Sequence, residues 1–576
     1  MFSLLKLVIS FFIILGCPNI RRPWNQMISV KQSMSRQMDN ENFDFIVVGA
    51  GSAGCALANR LTLNPKNRVL LLEAGGRDLD PWIHIPLGWG QILKNRMHDW
   101  NYFAEPSETM DNRVIECARG KVLGGCSSIN AMAYYHGHDV DYDRWESLGN
   151  PGWSYRDILK YFKKSENWEK GEDTHRGSGG ELTTIYSTFD DPICEAFINA
   201  GKEMQIGWTD DYNGSNKEGF ARIQATIHEG RRWSSAQAFL KPSLKRDNLK
   251  LEINALVEKI NFEGKKARGI TYRKGGKRIT VEASREVILS SGSINTPQIL
   301  MLSGVGASDQ IKRVGLEVHH ELSGVGKNLI DHTSASINFR RKNRGTFHRE
   351  MRLDKVAFSL LKSYLGLGGF ASDLPFGITA FVKTRPSEPV PDAQLLFWMG
   401  ATNTASPYFP PFKKAFDDAF NVRVMPMRPQ SRGHIALNSS EPADAPKIYQ
   451  TFLEEEEEWR VMLDGLRIAR KLVSQASMRK FAGPEIIPGD GDDGDEALRA
   501  HVRKTMITVH HPVGTCRMGP ESDPTAVCDH TLRVRGLDGL RVVDASIMPD
   551  LIGGATNAPT IMIAEKAADM ILNNQV

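Results

Sequence analysis

The chain has few cysteines for its length, and its charges nearly cancel. Seven cysteines occur among 576 residues, an odd number, and none forms a CxxC pair. This pattern argues against a disulfide framework or a zinc site and indicates a reducing compartment. The formal net charge is +4, from 72 basic and 68 acidic residues. A balance so close to neutral argues against nucleic acid as the main partner.

The apolar run at the amino terminus is short. Residues 1–16 are apolar except for one lysine, which is too short for a spanning helix but fits the core of a signal peptide. The competing interpretation is that a cytosolic enzyme starts at Met38 and that residues 1–37 are a mis-assigned start. We favour this second interpretation, which predicts a cytoplasmic protein. Export is expected only if the apolar segment is a real leader.

The length of the chain indicates more than one domain. A chain of 576 residues exceeds a single ordinary core. Hydrophobic residues make up 41% and charged residues 24%, which is typical of soluble globular enzymes. Strand and helix patterns alternate from residue 43 onward. A buried strand at 540–544 and a closing helix at 558–572 suggest that both ends build one nucleotide-binding domain, with the middle supplying a second domain.

A glycine-rich turn follows the first apolar run, residues 43–48. Gly49, Gly51 and Gly54 form GxGxxG between this strand and a helix. Such glycines permit a tight turn, close approach to a pyrophosphate and close packing of helix on strand. Glu73 ends the next strand at the offset of roughly 20 residues expected for a carboxylate that binds a ribose hydroxyl. The alternative is a structural turn, and the motif alone does not separate FAD from NAD.

Two further segments are rich in small residues. Residues 119–130 contain Gly124 and Gly125, which would let backbone N–H groups line a polar ligand. Residues 292–306 predict a strand end followed by a helix that begins at Pro297 and stops at Gly304. From the residues alone, an ordinary surface loop and a simple capped helix remain open for these two segments.

Together, these segments resemble the glucose–methanol–choline (GMC) oxidoreductase family. The resemblance covers residues 42–576 in the family's order, and it is specific because four separated motifs agree. The segments that carry it are 120–134, 292–306, 511–519, and 543–549 followed by 557–561. It implies an α/β chain, α+β overall, with a Rossmann-like FAD-binding domain and a second, substrate-binding domain built on an antiparallel sheet with helices. The implied FAD-binding residues are 42–160, 220–330 and 505–576, and the implied substrate-binding residues are 161–219 and 331–504.

The resemblance, together with Ile129, predicts non-covalent FAD, and the residues themselves predict no metal site. Some family members attach FAD through a histidine at the position of Ile129, which cannot form that bond. Two adjacent histidines, His510 and His511, lack the spacing of a zinc site. The implied cofactor-binding residues are Gly49, Gly51, Ser52, Gly54, Glu73, Ala74, Gly124, Asn130, Ala131, Val257, Asp544 and Asn557.

Alcohol oxidation requires loss of a hydroxyl proton and transfer of a hydride to the flavin. A histidine near neutral pKa suits the first event, and the flavin accepts the hydride. The resemblance implies that His511 is the base and Asn557 its polar partner. His510 is the competing base, because adjacent side chains on a strand face opposite ways. Pro512 follows His511 as in the family pattern, which favours His511.

The predicted reaction is oxidation of a primary alcohol to the aldehyde by hydride transfer to flavin N5, with choline as one specific candidate. Choline would need a carboxylate or an aromatic cage around its ammonium group, and Trp233 and Trp398 are candidates. The predicted electron acceptor is a quinone or another carrier. The alternatives are an oxygen-using oxidase, a flavin-dependent lyase or photodecarboxylase, and a non-catalytic nucleotide-binding protein. Residues 356–367, after the basic stretch 340–352, suit either a peripheral membrane contact or, slightly better, a lid or core helix.

Overall fold

The computed structural model describes residues 42–400, 406–489 and 493–573. The leader question at residues 1–37 therefore lies outside the described residues. Within the described ranges, no helix is both long enough and apolar enough to cross a bilayer.

The α-helices are α1 (Ser52–Leu61), α2 (Pro81–His84), α3 (Trp89–Lys94), α4 (Asp139–Ser147), α5 (Tyr155–Ser165), α6 (Pro192–Glu203), α7 (Lys241–Ser243), α8 (Gly292–Leu302), α9 (Ser308–Arg313), α10 (Thr346–Glu350), α11 (Leu353–Tyr364), α12 (Glu456–Val473), α13 (Asp495–Thr505) and α14 (Asn557–Asn573).

The strands fall into two large sheets and several small ones. They are β1 (Phe43–Val48), β2 (Val69–Glu73), β3 (Tyr102–Phe103), β4 (Glu116–Cys117), β5 (Glu166–Trp168), β6 (Leu182–Tyr186), β7 (Gly219–Arg222), β8 (Gln224–Ala225), β9 (Ile227–His228), β10 (Arg231–Arg232), β11 (Leu249–Ile253), β12 (Leu256–Glu263), β13 (Lys266–Lys274), β14 (Lys277–Leu289), β15 (Val305–Gly306), β16 (His320–Glu321), β17 (Thr333–Arg341), β18 (Ile378–Val382), β19 (Ala393–Met399), β20 (Ala419–Pro426), β21 (His434–Ala436), β22 (Lys447–Tyr449), β23 (Ala482–Ile487), β24 (Ile507–Thr508) and β25 (Leu540–Val542).

The first large sheet has a parallel core. Strands β11, β2, β1, β14 and β25 lie side by side and pair in parallel. Helices cover such sheets on both faces, so the strands read as continuous apolar runs, as β1 and β2 do. The carboxy-terminal β25 joins the amino-terminal strands through β14, so both ends of the chain contribute to one sheet. The predicted Rossmann-like fold is confirmed.

Strand β14 is long enough to pair in parallel along one half and antiparallel along the other. Its second half, from Ala283, pairs in parallel with β1. Its first half pairs antiparallel with β13, which in turn pairs antiparallel with β12. Strands β12 and β13 and the first half of β14 therefore form a three-stranded antiparallel extension that is continuous with the parallel sheet.

The second large sheet is antiparallel throughout, in the order β23-β17-β20-β19-β18-β7, with β24 beside β17. One face packs against helices α6 and α12. Phe197 of α6 lies with its ring centroid 3.8 Å from that of Phe397 on β19, and a side chain at Gly465 of α12 would overlap Val424 on β20. Since side chains alternate along a strand, the neighbours of Phe397 and Val424 point to the opposite face.

The helix expected to begin at Pro297 begins five residues earlier, as α8 at Gly292, and contains the proline. Proline has no N–H, so inside a helix it leaves the carbonyl four residues before it without a partner. Here that carbonyl belongs to Ser293, and it accepts a hydrogen bond from the Thr515 hydroxyl at 2.6 Å. A tertiary contact thus replaces the missing helical bond.

Candidate active site

Two glycines of the GxGxxG turn, Gly49 and Gly54, occupy positions where only glycine fits. Gly49 has φ +102°, and a Cβ atom there would lie 2.5 Å from the Ser290 carbonyl oxygen. A Cβ atom at Gly54 would overlap the Gly49 carbonyl oxygen, so α1 could not pack this closely on β1. Both glycines therefore fulfil the structural roles that the sequence pattern predicts for a dinucleotide-binding turn.

The second glycine-rich stretch lies against the first. The Gly124 N–H donates to the Ala50 carbonyl at 2.8 Å. A Cβ atom at Gly125, whose φ is +53°, would lie 2.8 Å from the Gly51 Cα. Two backbone segments more than seventy residues apart thus meet at the amino terminus of α1, where helix N–H groups attract anions. The sequence did not predict this contact.

Glu73 faces the same turn from the end of β2. Its carboxylate accepts hydrogen bonds from the N–H groups of Ala50 at 3.0 Å and Gly75 at 2.8 Å. Burial raises the pKa of Glu73 to about 7. A carboxylate has about four acceptor positions, so capacity remains for a ligand hydroxyl. Ala74 follows, half-buried.

The segment before Val257 is attached to the end of β2. The Ala255 N–H donates to the Glu73 carbonyl, and the Asn254 N–H donates to the Gly75 carbonyl, both at 2.9 Å. Val257, on β12, is buried. The structure therefore places the segment before Val257 beside the end of β2, and the role of Val257 in cofactor binding stays a prediction.

Asp544 is buried two residues beyond the end of β25, and protein donors occupy its carboxylate. Oδ2 accepts from the Gly292 N–H at 2.8 Å and from the Thr296 hydroxyl at 2.6 Å. Oδ1 accepts from the N–H and hydroxyl of Ser546, at 2.8 Å and 2.5 Å. Asp544 thus ties the start of α8 to the carboxy-terminal strand, beside the GxGxxG turn.

Asn557, the first residue of α14, also lies at this turn. Its side-chain oxygen accepts a hydrogen bond from the Ser52 hydroxyl at 2.7 Å. Ser52 begins α1, so the amino termini of two helices, α1 and α14, meet here. Among the described residues there is no direct hydrogen bond between Asn557 and His511, and their pairing stays a prediction.

Arg232 positions Asn130, a contact that sequence reasoning missed. Its Nη1 donates to the Asn130 carbonyl at 2.6 Å and to Asn130 Oδ1 at 2.8 Å, and its Nε donates to the Ile83 carbonyl at 2.7 Å. Burial without a carboxylate partner lowers the pKa of Arg232 to about 9. Its Nη2 is buried and has no partner within the described ranges. An unsatisfied buried donor beside Asn130 and Ala131 is suited to a polar ligand.

These features fit FAD. Glycines clear the approach to two helix amino termini, Glu73 retains acceptor capacity, and Arg232 keeps a free donor. The residues that would hold FAD are those of the GxGxxG turn, Glu73, the stretch Gly124–Ala131, and the Ser52–Asn557 pair. When bound, FAD supplies an acceptor for a hydride and its electron pair.

The histidine chosen from the sequence, His511, is held at its backbone and at its ring. The His511 N–H donates to Asp331 Oδ1 at 2.7 Å. Asp331 Oδ2 accepts from Thr508 and from Gln450, both at 2.6 Å. The ring of His511 lies nearly perpendicular to that of His332, at 85°, with 3.0 Å between the two Nδ1 atoms.

The hydrogen bonds of His332 determine the tautomer of His511. His332 Nε2 lies 2.9 Å from the Met427 carbonyl oxygen, which can only accept, so this nitrogen carries the proton. In a neutral ring, His332 Nδ1 is then an acceptor, and His511 Nδ1 must donate to it. His511 Nε2 therefore carries the lone pair, and it has no hydrogen-bond partner among the residues that the structure describes.

Electrostatics keep both rings neutral. Burial lowers the pKa of His332 to about 4. Burial holds the pKa of His511 well below its usual range, and the neighbouring His332 and the positive charge of Arg119 lower it further. A neutral imidazole with a free nitrogen is the form that a general base requires.

His510 does not lie on a strand, contrary to the expectation from the sequence. It lies beyond β24 in a turn, with φ +64°. Its carbonyl accepts from Arg119 at 2.5 Å, and its Nε2 lies 3.7 Å from Glu116. Burial and nearby arginines lower the pKa of His510 to about 3. The two adjacent histidines thus have separate partners, with His510 toward Glu116 and His511 toward His332.

Comparisons with known proteins agree with this geometry. The GMC oxidoreductase family models match residues 43–334 and 429–564. A Mus musculus protein named choline dehydrogenase, mitochondrial, is 42% identical over 541 residues, 92% of this chain and 89% of that protein. An oxygen-dependent choline dehydrogenase of Rhizobium etli is 39% identical over 532 residues, 92% of this chain and 96% of that protein. The crystal structure of pyridoxine 4-oxidase from Mesorbium loti superposes with a TM-score of 0.81 at 28% identity, covering 92% of this chain and 99% of that one.

A Rossmann-like domain with this site defines an FAD-dependent oxidoreductase that takes a small-molecule alcohol. The matched models and relatives make the family specific: the chain belongs to the GMC oxidoreductases. The resemblance seen in the sequence is therefore confirmed.

Proposed function

We propose that this protein oxidises a primary alcohol to the aldehyde, with His511 Nε2 accepting the hydroxyl proton. One observation carries the proposal: His332 fixes a neutral tautomer of His511 whose Nε2 has no partner within the described part of the chain. Asp331 holds the backbone of the same residue, which limits where the ring can lie. Asn557, at the amino terminus of α14, is proposed to support the substrate oxygen or the cofactor beside His511.

We also propose which parts of the chain bind FAD and which contact the alcohol. Residues 42–160, 220–330 and 505–576 would bind FAD, and residues 161–219 and 331–504 would contact the alcohol. The two large sheets support this division, although β7 (Gly219–Arg222) pairs into the antiparallel sheet across the proposed boundary. FAD is proposed to be non-covalent because Ile129, beside Asn130, has no nucleophile.

Choline is the alcohol that the relatives' names indicate. The direct test is an anaerobic visible spectrum of residues 38–576 with bound FAD, before and after adding single primary alcohols, choline among them. Bleaching of the flavin bands by at least one alcohol supports the proposal. A spectrum that no primary alcohol bleaches contradicts it.

The electron acceptor is proposed to be a quinone or another carrier, and oxygen is the second candidate. The name of the Rhizobium etli relative includes the words "oxygen-dependent", which favours testing oxygen directly. Readmitting air to alcohol-reduced enzyme separates the two cases. Reoxidation within seconds indicates an oxidase, whereas slow reoxidation that an added quinone accelerates indicates a dehydrogenase.

We also propose a cytoplasmic enzyme that contacts an anionic lipid surface. All six described cysteines are free, which suits a reducing compartment. Phe358 on α11 is 64% exposed, Leu367 beyond it 65%, and Phe412 86%. Lys362 and Lys414 accompany them, and apolar side chains among basic ones suit the surface of anionic lipids.

The two apolar segments lie side by side. The Leu353 N–H at the start of α11 donates to the Tyr408 carbonyl at 2.8 Å, which attaches the loop carrying Phe412 to this helix. The test is co-sedimentation with phosphatidylserine vesicles. Phe358→Ser with Phe412→Ser should reduce binding, whereas Phe103→Ser, also at an exposed phenylalanine, should not. Equal binding by both variants contradicts the lipid contact.

A further inference from the structure

Arg423 lies on the face of the antiparallel sheet that looks toward the candidate site. It is on β20, directly opposite Leu396 of β19, and its neighbour Val424 points to the other face, against α12. Leu396 packs in a cluster with Ala131 and Met132, next to Asn130. The adjoining Met425 packs in a cluster with Val509, which precedes the two histidines. The Arg423 side chain therefore lies on the same face of the sheet as Leu396 and Met425, on the side of these two clusters.

Arg423 has no carboxylate partner. Within the described ranges its guanidinium makes no ion pair and no hydrogen bond, in contrast to Arg341 of the neighbouring strand β17, which pairs with Asp191. Burial alone lowers the pKa of Arg423 to about 10, because no acidic group opposes it. Its positive charge also lowers the pKa of His510, which places it within electrostatic range of the residue beside the base.

One aromatic ring lies against this charge, and two further rings pack on that ring. The guanidinium lies 5.3 Å from the centroid of the Trp398 ring. Trp398 in turn packs edge-on against Trp89, with centroids 5.2 Å apart, and lies 4.2 Å from the Phe376 ring centroid. The Trp398 Nε1–H is buried and has no partner among the described residues. Two donors, the charged Arg423 guanidinium and the Trp398 Nε1–H, thus lie at one half-buried aromatic cluster.

The positive charge of Arg423 determines which alcohols can bind at this aromatic cluster. A quaternary ammonium is bound by an open aromatic face or a carboxylate. Arg423 already lies over the Trp398 face, and among the described residues no carboxylate pairs with it. Like charges in a partly desolvated site repel. A guanidinium beside an N–H donor is instead the arrangement that recognises a carboxylate.

We propose that Arg423, with Trp398, binds a carboxylate on the alcohol substrate, so that the enzyme oxidises hydroxy acids in preference to cationic alcohols such as choline. This inference rests on the proposed alcohol oxidation and names its substrate class. In the reaction, the carbinol C–H bond breaks and its electron pair leaves with the hydrogen as hydride to FAD, which is reduced. The hydroxyl proton goes to His511 Nε2, the alcohol carbon is oxidised to an aldehyde, and the carboxylate is unchanged.

The test compares two pairs of alcohols that differ mainly in charge. One pair is γ-hydroxybutyrate and its uncharged amide. The other is choline and its uncharged tert-butyl isostere. Charge-assisted hydrogen bonds predict that the acid exceeds the amide in kcat/KM by about 10-fold or more, and that the isostere exceeds choline. Choline exceeding its isostere, or the amide equalling the acid, overturns the inference.

Variants assign the effect to one residue. Arg423→Gln should abolish the preference for the acid over the amide while still oxidising the amide, and Arg423→Lys should restore part of that preference. Arg340→Gln is the matched control, because Arg340 lies on β17 of the same sheet and pairs with Asp417 at the surface. A preference for the acid that persists in Arg423→Gln contradicts the assignment.

A binding measurement separates this inference from the proposed reaction. Butyrate carries the carboxylate but no hydroxyl, so it can be titrated into the oxidised holoenzyme and followed by the flavin spectrum. Binding that weakens about 10-fold or more in Arg423→Gln supports the carboxylate site, even if no alcohol bleaches the flavin. Normal oxidation of uncharged alcohols without any butyrate binding removes the carboxylate site and leaves the proposed oxidation intact.

Discussion

The Nδ1 atoms of His332 and His511 lie 3.0 Å apart, and this contact determines which nitrogen of His511 is free. His332 is itself oriented by the Met427 carbonyl, so the order of donors runs from His511 through His332 to the backbone. Such an arrangement positions a base without adding a charge. It also makes His332 a positioning residue whose effect depends on hydrogen bonding rather than on titration.

Replacing His332 should lower activity according to the hydrogen bonds retained. Leucine in His332→Leu leaves His511 Nδ1 unpaired, so both tautomers become available, and kcat/KM should fall about 10- to 100-fold. Glutamine in His332→Gln can donate to Met427 and accept from His511, and it should restore most of the loss. Steady-state kinetics with thermal unfolding as the folding control measures this. Equal losses in both variants would indicate a packing role only.

The pH dependence should reflect the low pKa of His511. Only the neutral ring accepts a proton, so kcat/KM should be constant at neutral pH and fall as the pH drops below that pKa. The limb should lie below about 6.5, the ordinary histidine value. Arg119→Gln removes a positive charge that lowers the pKa of His511, so the limb should move to higher pH, whereas Arg119→Lys should leave it in place. An acid limb above neutrality in the wild type contradicts the assignment.

Contact between the two glycine-rich stretches should be required for FAD binding. Gly125→Ala introduces a Cβ 2.8 Å from the Gly51 Cα, and it should lower the FAD content of purified protein. Gly264→Ala is the matched control, since its φ of +56° is nearly the same but nothing lies within 4 Å. Both variants should lose about 1 kcal/mol of stability from the left-handed conformation. Equal FAD content in the two variants would refute the role of the contact.

Flavin should separate from the protein on denaturation. Ile129 offers no atom for a covalent link, so acid precipitation should release all flavin into the supernatant. The measurement is flavin absorbance in the supernatant and in the redissolved pellet. Flavin that stays with the pellet contradicts non-covalent binding and would require another attachment residue.

Much of the nucleotide-binding fold could be predicted from the sequence because its signals are local. The run 43–48 matches β1 in full, β2 ends at Glu73 as predicted, and β25 lies within the predicted strand 540–544. Pro297 misled the prediction of α8, because the Ser293 carbonyl that proline leaves free is satisfied by Thr515, more than two hundred residues away. Local rules of helix initiation cannot anticipate a distant partner.

The side chains that complete the site could not be predicted for the same reason. His332 stands 179 positions before His511, and an isolated histidine after Asp331 carries no motif. Arg423 lies in an ordinary alternating strand, where a charged residue usually faces solvent. Only the clusters that the neighbouring Leu396 and Met425 join show that it lies on the side of the candidate site, and it has no carboxylate partner among the described residues. The glycines of the GxGxxG turn, in contrast, could be predicted, because the spacing of the motif indicates which positions require glycine.

The central claim, that His511 is the base of an alcohol oxidation, is tested most directly by stopped-flow flavin reduction without oxygen. Wild-type enzyme and His511→Ala, both loaded with FAD, would be mixed with the best alcohol of the panel. We expect both to be yellow and the variant to be reduced about 100- to 10,000-fold more slowly, the usual contribution of a general base. Reduction of His511→Ala at the wild-type rate would contradict the assignment and return the choice of base to the other residues of the site.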